Sequence, residues 1–155
     1  MKSDTVIDIQ FKSKAKEFNS PFIPYLNTRN RYEVYYGGAG SGKSHFIAQK
    51  ILYRMLRERG HRYLVVRKVA RTNRHSTYDL FRSVISAWKL QPIFKIDKTE
   101  LDITLQIKGI SDNQILFTGL DDVEKLKSIA GITDIWIEEA SEITPEDFMQ
   151  LDLRL

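Results

Sequence analysis

Residues 32–44 read YEVYYGGAGSGKS and carry the strongest structural signal in the sequence. The run from Tyr32 to Tyr36 is aromatic and β-branched apart from one glutamate, which predicts a buried strand that ends at two glycines. From Lys43 to about Arg59, apolar residues recur at steps of three and four, and Gly60 follows, so a helix is predicted there. A strand that enters a glycine-rich loop and then a helix indicates an α/β fold.

The loop matches the pattern G-x-x-x-x-G-K-[ST], which is typical of a phosphate-binding loop between a strand and a helix. Glycines let successive backbone N–H groups turn toward a phosphate, and the helix N-terminus adds its positive dipole end. In this pattern the lysine, Lys43, reaches the β- and γ-phosphates, and the hydroxyl of Ser44 ligates Mg²⁺. The predicted nucleotide-binding residues are Gly37, Gly38, Ala39, Gly40, Ser41, Gly42, Lys43 and Ser44.

Two adjacent acids, Glu138 and Glu139, follow the short apolar run Ile135-Trp136-Ile137. The run predicts a buried strand, and Glu138 at its end is placed to bind Mg²⁺ directly or through water. Glu139 is placed to orient or deprotonate the attacking water. Taken alone, two glutamates at a strand end are more simply explained as solvated surface. The phosphate loop favours the other interpretation, because the triphosphate charge needs a metal carboxylate to compensate it.

We therefore predict Glu139 and Lys43 as catalytic residues, and Ser44 and Glu138 as metal ligands. The rest of the chain alternates strand and helix signals, which indicates a three-layer architecture around a mainly parallel sheet. Further strands are predicted at Tyr63–Val66, Phe94–Ile96, Leu101–Ile107 and Ile115–Thr118, and further helices at about Ser76–Trp88, at Asp121–Ile129 and from a Thr144 cap with Pro145 at the first helical position. The two prolines of Asn19–Tyr25 predict an extended loop.

The composition bounds the class of protein. The chain has 155 residues, 42% apolar and 28% charged, with no cysteine and three histidines, which is typical of one soluble globular domain without disulfides or a zinc site. No run approaches the roughly 18 to 20 apolar residues of a membrane span, and the first thirty residues have no apolar stretch long enough to predict a signal peptide. Residues 1–96 hold 19 Lys+Arg against 6 Asp+Glu, and residues 97–155 hold 5 against 14. A basic half attracts polyanions, and an acidic half can hold divalent metal.

The basic charge is densest between Arg54 and Arg74, a segment with eight Lys+Arg and one acid. Such a segment is either a surface for DNA phosphates or an exposed face that keeps the protein soluble, and the sequence leaves both open. Arg67, Lys68 and Arg71 stand apart, because they follow the second predicted strand at the edge where α/β sheets place ligands.

Four segments together resemble the N-terminal ATPase domain of the large terminase subunit of tailed bacteriophages and prophages. They are RYEVYYGGAGSGKS (31–44), LVVRK (64–68), ILFTGLDDVEKLKSIAGITDIWIEEASEIT (115–144) and DFMQLDLRL (147–155). The resemblance implies a three-layer P-loop NTPase of the RecA-like branch with a catalytic glutamate, in which the loop is the Walker A motif and the acidic pair the Walker B motif. It implies ATP and Mg²⁺ as cofactors, residues 1–30 as a leader on the adenine side, and residues 31–155 as the N-terminal portion of the P-loop ATPase domain. Phe22, Pro24 and Tyr25 are then candidates for base contact or simply a packed leader loop.

The same resemblance implies an ATPase that powers translocation of double-stranded phage DNA into a procapsid. Its implied partners are the DNA, a small terminase subunit and the portal protein of the procapsid, with the subunits assembled as a ring. The implied location is the cytoplasm of a bacterial host, and transiently the procapsid portal.

The sequence departs from this family in two places. Many members carry an arginine in the loop where this chain has Ala39. Either Arg67, Arg71 or a neighbouring subunit supplies that charge, or hydrolysis by the isolated chain is slow. The sequence also ends at Leu155, so we expect the coupling motif and the C-terminal nuclease domain to be absent and the sheet to be incomplete at its C-terminal side. The strand at Tyr32–Tyr36 should then not pair directly with the acidic strand. Two alternatives stay open: a terminase fragment that binds nucleotide without hydrolysing it, and another P-loop ATPase or kinase.

Overall fold

The computed structural model describes residues 9–11, 17–107 and 113–155, the side chain of Arg74 excepted; the remaining leader residues lie outside this range. Five strands form one sheet in the order β2-β3-β4-β1-β5. Their bounds are Arg62–Arg67 (β1), Phe94–Asp97 (β2), Asp102–Leu105 (β3), Gln114–Gly119 (β4) and Asp134–Ile137 (β5).

Strand β1 lies in the middle of the parallel part of the sheet. It pairs in parallel with β4, where Val65 is opposite Phe117, and with β5, where Val65 is opposite Trp136. Strand β3 runs antiparallel to both β4 and β2. Four strands therefore point the same way and one opposes them, which confirms the predicted mainly parallel sheet and its hairpin.

The helices are α1 (Lys43–Arg57), α2 (Ala70–Asn73), α3 (Asp79–Ala87), α4 (Val123–Ser128) and α5 (Pro145–Asp152). A π-helical turn, Arg74–Tyr78, joins α2 to α3, so the helical stretch begins before the predicted Ser76. Thr144 caps α5 in a reciprocal capping box with Asp147, as the Thr-Pro signal predicts. None of the helices in the described ranges is long and apolar enough to cross a membrane.

Apolar clusters on both faces of the sheet make the three layers. On one face, Ala48 and Leu52 of α1 and Phe81 of α3 pack against Val65 and Trp136. On the other face, the smaller cluster joins the sheet to α4 and α5 and contains Leu64, Val66, Leu126, Ile132 and Leu151. The alternation along β1 assigns odd-numbered residues to the α1 face and even-numbered residues to the opposite face.

Two predicted elements are wrong. Ser20–Tyr25 is a 3-10 helix rather than an extended loop, because proline's fixed φ suits a short helical turn near its start. Tyr32–Tyr36 forms no strand, and Val34 and Tyr36 are 82% and 91% exposed. A strand needs a ladder partner, and in the described part of the chain β1 is the strand paired with β5. Tyr32–Tyr36 and β5 are therefore not paired.

Candidate nucleotide-binding site

The glycine-rich loop adopts backbone angles that favour glycine. Gly37, Gly40 and Gly42 all have positive φ, and Gly42 is the N-cap of α1 in the left-handed conformation. Asn19 of the leader donates from its side-chain amide to the Ser41 carbonyl oxygen at 3.3 Å. A Cβ added at Gly42 would overlap that amide. The loop is thus held between the leader and the first turn of α1, whose N–H groups have no intrahelical partner and favour an anion.

Lys43 lies across the loop. Its Nζ donates to the carbonyl oxygens of Gly37 at 2.8 Å and Gly38 at 2.9 Å, and to Ser41 Oγ at 3.0 Å. These contacts hold an ammonium group within the turn formed by the backbone. The arrangement provides a positive charge beside a helix N-terminus, which is chemistry suited to a phosphate chain.

The loop and the acidic strand meet through Ser44 and Glu138. The Ser44 hydroxyl donates to Glu138 Oε1 at 2.8 Å across 94 residues of sequence, and both side chains are partly buried. Glu138 lies directly after β5, where its backbone N–H donates to the Val66 carbonyl at 2.9 Å. A hydroxyl and a carboxylate at this separation fit a magnesium ion, which prefers oxygen ligands and usually keeps water and phosphate oxygens as well.

Glu139 is exposed and has a left-handed backbone, with φ 55° and ψ 54°. A residue other than glycine in this region is uncommon and carries strain that the surrounding structure must support. The turn points the chain away from β5 into the short 3-10 helix Ala140–Glu142. Glu139 therefore follows the metal-ligand candidate on a sharply turned backbone, where its carboxylate is open to solvent.

A polar cluster that sequence reasoning missed anchors the segment before the loop. Lys50 Nζ lies 2.5 Å from Glu33 Oε2 and donates to Thr28 Oγ1 at 2.9 Å, while the Tyr35 hydroxyl donates to Glu33 Oε2 at 2.6 Å. Burial alone would raise the pKa of Glu33, but its bonds to Lys50 and Tyr35 outweigh burial and hold that pKa below its usual value. Burial lowers the pKa of Lys50. The available signal was the four-residue spacing from Phe46, which places Lys50 on the apolar face of α1.

A cleft of about 360 Å³ lies between the leader and the segment before the loop. Of the base-contact candidates, Phe22 and Tyr25 line it and Pro24 is not among the lining residues. Phe22 is stacked on Phe46 of α1, with ring centroids 5.0 Å apart, whereas Tyr25 is 50% exposed. The cleft reaches Tyr36, the residue before the phosphate loop.

The structure thus brings together the loop, Ser44 and Glu138, and leaves Ala39 at the exposed tip of the loop. Arg67 lies one strand from Glu138, at the end of β1, and its buried Nε has no hydrogen-bond partner among the described residues. Lys68 in the turn that follows and Arg71 in α2 are both exposed.

Comparison with known sequences gives consistent matches. Residues 29–155 match the family model described as phage terminase large subunit. The chain is 39% identical over 142 residues to the PBSX phage terminase large subunit of Bacillus subtilis (strain 168), covering 91% of this chain and 32% of that protein. It is 34% identical over 115 residues to the terminase large subunit of Bacillus phage SPP1, covering 72% of this chain and 26% of that protein. The chain thus spans about a third or less of the length of these relatives.

Comparison of folds gives the same architecture at low sequence identity. One match is the large terminase from a thermophilic bacteriophage, in its second crystal form, with a TM-score of 0.61 and 12% identity over 76% of this chain and 29% of that one. The same large terminase in complex with ADP matches with a TM-score of 0.57, also at 12% identity, over 76% of this chain and 29% of that one.

Proposed function

The chain belongs to the phage terminase large subunits, and on that premise we propose that it binds ATP with Mg²⁺ at Gly37–Ser44 and forms the ATP-hydrolysing part of a DNA-packaging motor. The observation that carries the proposal is the Ser44–Glu138 hydrogen bond at 2.8 Å. It joins the end of the phosphate loop to a carboxylate at the end of β5. That pairing is what a triphosphate with a bridging metal requires.

In this proposal each residue has a stated task. The loop N–H groups and Lys43 hold the phosphates, and Ser44 and Glu138 hold the metal ion. The bound metal would neutralise charge on the β- and γ-phosphates. Glu139 orients the attacking water and accepts its proton. Residues 17–30 and the adjoining cleft receive the base, with Tyr25 as its contact.

We propose the motor activity for this chain on the basis of its relatives. The matched proteins are named terminase large subunits, and the one from the thermophilic bacteriophage was solved in complex with ADP. We propose that hydrolysis drives translocation of double-stranded phage DNA into a procapsid, together with a small terminase subunit and the portal protein. In this proposal the subunits assemble as a ring. The ring acts in the cytoplasm of the bacterial host and, during packaging, at the portal.

Nucleotide binding is the first test. The thermal unfolding temperature is measured with and without Mg·ATP for the unchanged chain, for Lys43→Ala and for the control Lys98→Ala. Lys98 is an exposed lysine on the β2–β3 hairpin. A ligand at a hundred times its Kd stabilises the native state by about 2.7 kcal/mol, so the unfolding temperature should rise for the unchanged chain and the control. Lys43→Ala should lose that rise. An equal rise in Lys43→Ala would contradict a site at the loop.

Hydrolysis is tested separately through Glu139→Gln. The variant should keep the Mg·ATP shift, because the side chain at this position contacts neither metal nor phosphate in the proposal. Phosphate release should fall by about 10² to 10⁴, the usual contribution of a general base. Unchanged phosphate release would remove Glu139 from the mechanism.

A further inference from the structure

Six of the eight basic residues in the segment Arg54–Arg74 fall into two groups in the structure. At the amino end of β1, Arg54 pairs with Asp134 at 3.1 Å and Arg62 donates to the Ala130 carbonyl. The Arg57 guanidinium contacts the Tyr53 hydroxyl. These three arginines are engaged with their own chain and are poorly placed to serve a second molecule.

The other group lies at the opposite end of β1 and comprises Arg67, Lys68 and Arg71, named here the β1 cation group. In the described ranges, none of the three side chains makes a hydrogen bond or an ion pair. The nearby carboxylate of Asp121 instead accepts the backbone N–H of Ala70 at 2.7 Å. Three positive charges within five residues repel one another, and a polyanion would relieve that repulsion.

The β1 cation group is fixed to the two central strands. Asn73 is fully buried and donates from its amide to the Val65 carbonyl of β1 at 3.0 Å and to the Thr118 carbonyl of β4 at 2.7 Å. Gly119, opposite Arg67 in the ladder, has no room for a Cβ because Ala70 packs directly on it. The turn and the start of α2, which carry Lys68 and Arg71, therefore cannot shift without disturbing β1 and β4.

The same strand reaches the nucleotide site. Val66 is opposite Ile137 in the parallel ladder, so Arg67 is next to Glu138, one strand spacing away. By the alternation along β1, Arg67 is on the α1 face, the face on which Glu138 meets Ser44. A polyanion bound at the β1 cation group would lie beside the carboxylate proposed to hold the metal.

We propose that Arg67, Lys68 and Arg71 form the surface through which this chain contacts the phosphate backbone of double-stranded DNA. The proposal rests on the proposed function and assigns its polymer substrate to one edge of the sheet. Arginine and lysine contacts to phosphate carry no base information. Asn73, the amide closest to the group in sequence, is buried in the protein and does not read bases. The contact is thus independent of DNA sequence, as a translocating protein needs.

The test measures binding of a fluorescent mixed-sequence DNA duplex to the chain over a range of salt concentrations. The double variant Lys68→Ala/Arg71→Ala is compared with Arg59→Ala/Lys98→Ala, which removes the same charges from exposed residues outside the group. The first double variant should bind more weakly at every salt concentration, and the slope of log K against log salt should shrink in magnitude by about 2, one for each lost phosphate contact. The control pair should keep the original slope. Both variants should keep the thermal unfolding midpoint of the unchanged chain.

Three outcomes overturn the proposal: equal losses in the two double variants, no change in either, or no measurable binding by the unchanged chain at low salt. None of them touches the proposed nucleotide site, which is judged by the Mg·ATP shift. Conversely, the Mg·ATP shift could be absent while the salt dependence of DNA binding changes as predicted. That result would refute the nucleotide site and support the DNA-contact surface.

Discussion

Glycine and asparagine together define the phosphate loop at the level of single residues. Gly42 combines a φ of 82° with close approach of the Asn19 amide, so two independent reasons exclude a side chain there. Gly38, four residues earlier, has no atom within 4 Å of an added Cβ and no positive φ. Alanine substitution at each of the two glycines therefore distinguishes the effect of a required backbone conformation from the effect of losing a glycine.

Gly42→Ala should destabilise the chain by about 1 to 3 kcal/mol, the cost of holding an ordinary residue in the left-handed region, and should weaken the Mg·ATP shift. Gly38→Ala should leave stability nearly unchanged. Urea unfolding of both variants, followed by the thermal shift with Mg·ATP, makes the comparison. Equal losses at the two positions would contradict the conformational argument.

Among the elements, the segment Tyr32–Tyr36 shows how a loop can be positioned without a sheet. It has no ladder, yet Glu33 and Tyr35 fasten it to Lys50 in the middle of α1. Arg31 and Tyr32 fasten its start to Asp152 at the end of α5. The Glu33–Lys50 ion pair thus joins the segment before the phosphate loop to the helix after it. We expect this ion pair to set the distance between the two ends of the loop.

Glu33→Gln should lower the free energy of unfolding at neutral pH by about 1 to 3 kcal/mol, because Lys50 stays buried without its anion. The folded pKa of Glu33 is below its ordinary value of 4.5, so its stabilising contribution is complete above that pH and is lost as pH falls through the folded pKa. The difference between the two proteins should therefore shrink below pH 4.5. Urea unfolding across that range measures it, and a gap that stays constant in acid would show that the carboxylate charge is not the cause.

At the scale of the whole molecule, one side of the sheet presents backbone and apolar side chains to solvent. β5 has β1 as its partner, and across the described residues no strand covers its other edge. Nearby, Tyr32 contacts Phe148 with ring centroids 6.0 Å apart, and Val34 and Leu153 are 82% and 84% exposed. An open edge beside exposed apolar groups favours pairing with another molecule.

We therefore predict that this chain self-associates as its concentration rises. Val34→Lys/Leu153→Lys should reduce the association, because charges near an open edge oppose strand pairing. Val123→Lys is the control, since Val123 is 49% exposed but lies on α4, which packs against β4 rather than at the open edge of β5. Sedimentation velocity over a concentration series measures the effect. A monomer at every concentration, or an equal effect of the control, would refute the prediction.

The sequence by itself determined the local features of this protein. The motif at Gly37–Ser44 predicted the loop, the apolar spacing predicted α1, and Thr144-Pro145 predicted the start of α5, because each depends on residues within a few positions of one another. The alternation of strands and helices also indicated the three-layer class. These features were predictable because hydrogen bonding in turns and helices is local.

Only the tertiary structure decided which distant segments meet. It gave Ser44 and Glu138, which the sequence predicted only as ligands of one metal ion, their direct hydrogen bond, and it buried Lys50 against Glu33. It also left Tyr32–Tyr36 outside the sheet although its residues favour a strand, since a strand forms only where a neighbour completes its ladder. The physical reason is the same in each case. Pairing and burial depend on contacts between residues far apart in the chain, and the residue pattern of one segment does not show which other segment it will contact.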